Sequence, residues 1–164
     1  MSSNQYPATV VEVLDDQAEY PPELLRVVRL FAASNPWKGS LKTRQRKFCQ
    51  FNHLMAVACR IDEPLLAFGR LDGRSSGSSH YTARDHRIVM VGKLSVVTFL
   101  HEFGHALGFD EQRACRWSIN LFRKCFPRQF SRLIHVGHML IRPQSLPQRL
   151  NGRNRSRTTR TREM

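Results

Sequence analysis

Apolar residues recur at helical spacing over four stretches of the chain and form short unbroken runs over two others. Pro21, Pro22 and Glu23 open the first helix, since proline is tolerated in a first turn and an acid there complements the helix dipole. Leu24, Val27, Val28, Leu30 and Phe31 mark its apolar face as far as Ala33. Asn35-Pro36 and Gly39 interrupt the pattern, and Ser40 caps a longer helix. Leu41, Phe48, Phe51, Met55 and Ala58 supply the stripe of that helix, with Lys42, Arg44, Arg46 and Lys47 mostly off it. Residues 64–69 and 86–91 read as strands, rich in apolar and β-branched side chains and separated by a Gly/Ser-rich loop at residues 72–79. Ser95 caps a helix, VVTFLHEFGHAL, which Gly108 stops. Asp110 caps the next, with Ala114, Trp117, Leu121 and Cys125 at helical spacing until Pro127 bends or ends it. A short apolar stretch at residues 130–141 follows. The order helix, helix, strand, strand, helix, helix predicts a small α+β domain over residues 21–141. Residues 1–20 read as an N-terminal arm with one short extended piece at residues 9–14. Residues 142–164 read as a flexible basic tail.

Composition fits that organisation. A chain of 164 residues that is 41% apolar suits one domain with one core. No run approaches the roughly 18 consecutive apolar residues of a membrane span, so no membrane partner is expected. The first residues, MSSNQYPATVVEVLDDQ, lack a basic region followed by an apolar one. The four cysteines, Cys49, Cys59, Cys115 and Cys125, form no CxxC pair and read as reduced thiols. A cytoplasmic location is the expectation.

The charge is large and uneven. Residues 1–25 hold five acids and no Lys or Arg, whereas residues 36–60 hold six bases and no acid. Seven arginines, from Arg142 to Arg162, stand against one acid, Glu163. They give residues 142–164 a net charge of +6 and leave +7 for the rest of a total of +13. Arginines at that density suit nucleic-acid phosphates electrostatically, and they equally suit a solubilising tail with no fixed partner.

Chemistry concentrates at His101-Glu102-Phe103-Gly104-His105, the pattern HExxH. Residues four apart on a helix project from one face about 6 Å apart along the axis, so His101 and His105 can share one zinc ion. Glu102 is placed to take a proton from water as general base. Chance alone gives HExxH in roughly one chain of this length in a hundred. A catalytic zinc needs a third protein ligand and an open position. Were the helix to continue past Gly108, residue 111 would point away from His105. A glycine with positive φ can instead turn the chain back, which favours Glu111, with Asp110, His135 and His138 as alternatives. His80, Tyr81 and His86 bracket the second strand and are of types that stabilise a tetrahedral intermediate.

At these residues, over about positions 64–126, the chain resembles zincin metallopeptidases. HExxHxxGxx followed by a ligand resembles the metzincins, with Glu111 where they carry His or Asp. An acid heading the following helix resembles small gluzincins, including ImmA/IrrE-type peptidases. Size and basicity resemble the SprT-like proteases, which act near DNA. The resemblance implies a zincin-like domain whose active-site helix lies beneath a strand lining the substrate cleft. It also implies one zinc ion held by His101, His105 and Glu111, with Glu102 as base. The expected activity is hydrolysis of peptide bonds in an intracellular protein, the substrate backbone pairing with the edge of strand 86–91. The competing expectation is a basic, nucleic-acid-associated regulatory protein whose zinc is structural or idle.

Overall fold

The computed structural model describes residues 9–69, 78–136 and 139–141. The chain is α+β, as expected. Two helices, α1 (Pro22–Ala33) and α2 (Leu41–Cys59), precede β1 (Leu65–Gly69), β2 (His80–Thr82) and β3 (Arg87–Val91). Then follow α3 (Val96–Ala106), α4 (Glu111–Cys125), the short α5 (Pro127–Arg132), and β4 (Ile134–Val136) paired antiparallel with β5 (Met139–Ile141).

The stripes read from the sequence build the core. Leu24, Val27, Val28 and Phe31 of α1 are buried with Phe48, Phe51 and Met55 of α2 and Phe99, Leu100 and Phe103 of α3. Aromatic rings fill the centre: Phe31 stacks on Phe51 with centroids 3.9 Å apart, and Phe48 and Phe51 both meet Phe99. Leu30 and Leu41, counted with the stripes, are instead 59% and 53% exposed. Leu30 lies about 110° around the helix from the centre of its buried face, and Leu41 is the first residue of α2. Both expected caps form, Ser40 Oγ accepting from Thr43 N and Ser95 Oγ from Thr98 N, each at 3.2 Å.

The three-stranded sheet has the order β1-β3-β2. β3 pairs parallel with β1 and antiparallel with β2, so it is the central strand. This corrects the expectation that a substrate would pair with strand 86–91, because both of its edges are already occupied. The edge strand packed on α3 is β2, whose residues the sequence reading assigned to no strand.

The N-terminal segment differs too. Val11–Val13 is a 3-10 turn rather than an extended piece, and Val10 and Val13 are buried against Cys115 and Ile119 of α4. Asn120 fixes the segment there: its amide donates to the Val13 carbonyl at 2.7 Å and its carbonyl accepts from Asp15 N at 2.8 Å. Tyr20 Oη donates to the Trp117 carbonyl at 2.8 Å, and Arg123 pairs with Asp16. The basic segment from Arg142 to Arg162 and most of the Gly/Ser-rich loop lie outside the described residues. Among the described residues, no helix is long and apolar enough to cross a membrane.

Candidate metal centre

The site is built by one helical hairpin. α3 ends in a Schellman turn: Gly108 N donates to the His105 carbonyl at 2.9 Å and Phe109 N to the Gly104 carbonyl at 3.0 Å. Gly108 has φ +90°, a conformation glycine adopts without strain. Asp110 then caps α4, its Oδ1 accepting from Arg113 N at 2.8 Å. The chain reverses within a few residues, and Glu111, first residue of α4, comes back over His101 and His105.

Three side chains converge. His101 Nε2 lies 3.1 Å from Glu111 Oε2, His105 Nε2 lies 2.9 Å from Glu111 Oε1, and the two Nε2 atoms are 3.1 Å apart. Their outer nitrogens are held as well. His105 Nδ1 donates to the Phe109 carbonyl at 2.8 Å, which leaves its Nε2 lone pair facing the cluster when the ring is neutral. His101 Nδ1 faces Cys115 Sγ at 3.6 Å. His101, Glu111 and Cys115 each present a potential ligand atom within 4.8 Å of the others.

Glu102 flanks the histidine face of α3, about 60–100° around the helix from the two rings. It is 7% exposed and lies against β2, whose Tyr81 backbone amide donates to its carboxylate. Burial raises its pKa to about 7, opposed by His105, reinforced by Glu111, and lowered again by the Tyr81 amide and His80. Cys115 is likewise pushed up to about 12, by burial and then by Glu111 and Glu102, so it is a neutral thiol at neutral pH.

The alternatives for a third donor separate. Asp110 is spent on its cap. His135 is exposed and stands beside Phe130, the ring centroids 5.7 Å apart. His138 lies outside the described residues. Tyr81 Oη is paired with His86 Nδ1 at 2.7 Å, and His86 Nε2 donates to the Asp62 carbonyl at 2.7 Å. That pair therefore pins the β2–β3 turn. His80 is exposed, with Nδ1 donating to the Ser78 carbonyl at 2.9 Å. The reading of the four cysteines as reduced thiols gave Cys115 no place at the site. The spacing from Glu111, four residues along one helix, carried the signal.

The donor set fits a divalent cation. Ligands about 2.0–2.1 Å from zinc in a tetrahedron are roughly 3.3 Å apart, close to the 2.9 to 3.1 Å found between these donors. Fold and site together define a small α+β domain with a two-histidine, one-glutamate cluster at a helical hairpin. Compared with known protein families, curated proteins and solved structures, the chain matches none.

Proposed function

We propose that this chain is a zinc-dependent peptidase acting on a protein substrate inside the cell. The observation that carries this reading is the convergence of His101 Nε2, His105 Nε2 and the Glu111 carboxylate, with separations of 2.9 to 3.1 Å, one residue from a buried Glu102. These three side chains would hold one zinc ion. When bound, zinc would polarise a scissile carbonyl and acidify water towards a pKa of ~7. Glu102 supplies the base. Standing one residue from His101, its carboxylate would take a proton from the attacking water and return it to the leaving amine. Phe109 and Cys115 fix the ring orientations from behind. β2, the edge strand beside α3, offers backbone for an extended substrate to run along.

The test has two parts. Purified protein should carry about one zinc per chain, and His101→Ala should lose it. Glu102→Gln should keep the metal and lose cleavage of a quenched fluorescent casein. A wild type without zinc, or a Glu102→Gln variant as active as wild type, would overturn the reading. The charge of +13 supports nucleic acid as a second partner, bound through the segment from Arg142 to Arg162. Affinity for duplex DNA should then fall steeply with salt, and a chain ending at residue 141 should lose most of it.

A further inference from the structure

Cys115 is unusual company for a pair of imidazoles. It is 4% exposed, packed among Val10, Val13 and Ile119, and sits one turn beyond Glu111 on α4. Its sulfur could be used in two ways. It could join His101 and Glu111 as a ligand, since the three donors lie within 4.8 Å of one another. Or it could support His101 from outside the ligand set. The ring geometry decides between them. Sγ addresses Nδ1, at 3.6 Å, whereas Nε2 addresses His105 and Glu111 at 3.1 Å. The two nitrogens of an imidazole direct their lone pairs divergently, so a cation taken by Nε2 lies across the ring from the sulfur.

We propose that Cys115 is a positioning residue: its sulfur holds Nδ1 of His101 so that Nε2 faces His105 and Glu111, and it does not itself bind the metal. This rests on the metal-site reading above. It parallels the other ring, where the Phe109 carbonyl holds His105 Nδ1 at 2.8 Å. Metal-bound histidines commonly donate their outer N–H to such a partner. One helix thereby supplies both the carboxylate in front of His101 and the support behind it, so the two are aligned by the same backbone.

The experiment is metal titration of the full chain with cobalt(II) and zinc, for wild type, Cys115→Ser and Cys115→Ala. Thermal unfolding in chelator controls for folding. Loss of the outer partner should weaken metal binding about 10–100-fold in Cys115→Ala. Serine, which keeps a donor and acceptor, should restore most of it. The cobalt-loaded wild type should show no near-ultraviolet sulfur-to-cobalt charge-transfer band. Independently of any variant, ring 15N shifts of the zinc-loaded wild type should give His101 protonated at Nδ1 and metal-bound at Nε2. A charge-transfer band that vanishes in Cys115→Ser would make the thiol a ligand and overturn the proposal. So would wild-type affinity in Cys115→Ala, or metal on Nδ1. A wild type that binds neither cobalt nor zinc would overturn the metal site itself, and the proposal with it. Binding that needs His105 and Glu111 but ignores Cys115 would overturn the proposal alone.

Discussion

Gly104 tests whether the seam between α3 and α4 sets the site. It lies inside the HExxH helix, where glycine costs up to about 1 kcal/mol relative to alanine. A β-carbon there would meet Ala114 Cα and Cβ at 3.3 Å and Phe109 Cδ2 at 3.5 Å. Carbon contacts are comfortable at about 3.5–4.0 Å, and the closest atom is backbone of α4, which cannot rotate away. Gly104→Ala must therefore push α4 off α3 by a few tenths of an ångström, at an overpacking cost of about 1–3 kcal/mol. Set against the helix gain, the net is a loss of about 0–2 kcal/mol, read from urea unfolding in chelator. The consequence for the site is larger. Ala114 is three residues from Glu111, so the shift displaces the carboxylate by an amount comparable to the roughly 0.2 Å tolerance of a zinc site. Zinc affinity, measured by competition with a chromophoric chelator, should fall on the order of tenfold. If Gly104→Ala is about 1 kcal/mol more stable and binds zinc as wild type does, the close approach is not what the glycine serves. Lost stability with unchanged affinity would break the link from seam to site.

Three further outcomes are expected. In metal-free protein, Glu102 has a pKa near 7 when folded against an ordinary 4.5, so the native state binds more protons between these values. Stability should fall as pH rises from about 4.5 to 7 and then level off. Glu102→Gln should be more stable than wild type by up to about 3 kcal/mol above pH 7 and equal to it below about 4.5, in urea midpoints across pH. Asn120→Ala removes the two hydrogen bonds that Asn120 makes to the N-terminal segment. It should cost about 2–3 kcal/mol and speed alkylation of Cys115, which Val10 and Val13 cover. Asp110→Ala should cost about 1 kcal/mol as a lost cap yet reduce zinc affinity far less than Glu111→Gln. The reverse order would make Asp110 the donor.

What the sequence made legible was local. Ser95, Gly108 and Asp110 each act on backbone groups within three residues, so their roles as caps and turn could be read directly, and with them the return of Glu111 to the histidines. Strands of five residues with continuous apolar runs were equally readable. β2 was not, because HYT is too short for a period-two pattern and borders a Gly/Ser-rich loop. Without β2, β3 was taken for an edge. The docking of residues 10–20 escaped for another reason: its hydrogen bonds join positions about 100 apart in the chain, and the acidic, turn-rich segment has no periodic face to announce them. Cys115 was visible as an i+4 partner of Glu111, but only the fold shows that its sulfur meets Nδ1 of His101.

That contact also explains why a thiol suits this position. Carboxylate oxygens and bare imidazole nitrogens are all acceptors, and two of each meet here at 2.9 to 3.1 Å. They must be bridged by protons or by a cation. A proton on His101 Nε2 can serve only one neighbour, whereas a divalent cation serves every donor at once. The two fillings ask opposite things of the ring's far side. With a proton on Nε2 of the neutral ring, Nδ1 is bare and its partner must donate. With a cation on Nε2, Nδ1 carries the proton and its partner must accept. A backbone carbonyl, such as the one behind His105, meets only the second demand. A neutral thiol meets both without adding charge to a half-buried site, so on the metal-site proposal His101 would exchange a proton for a metal ion while its orientation is held.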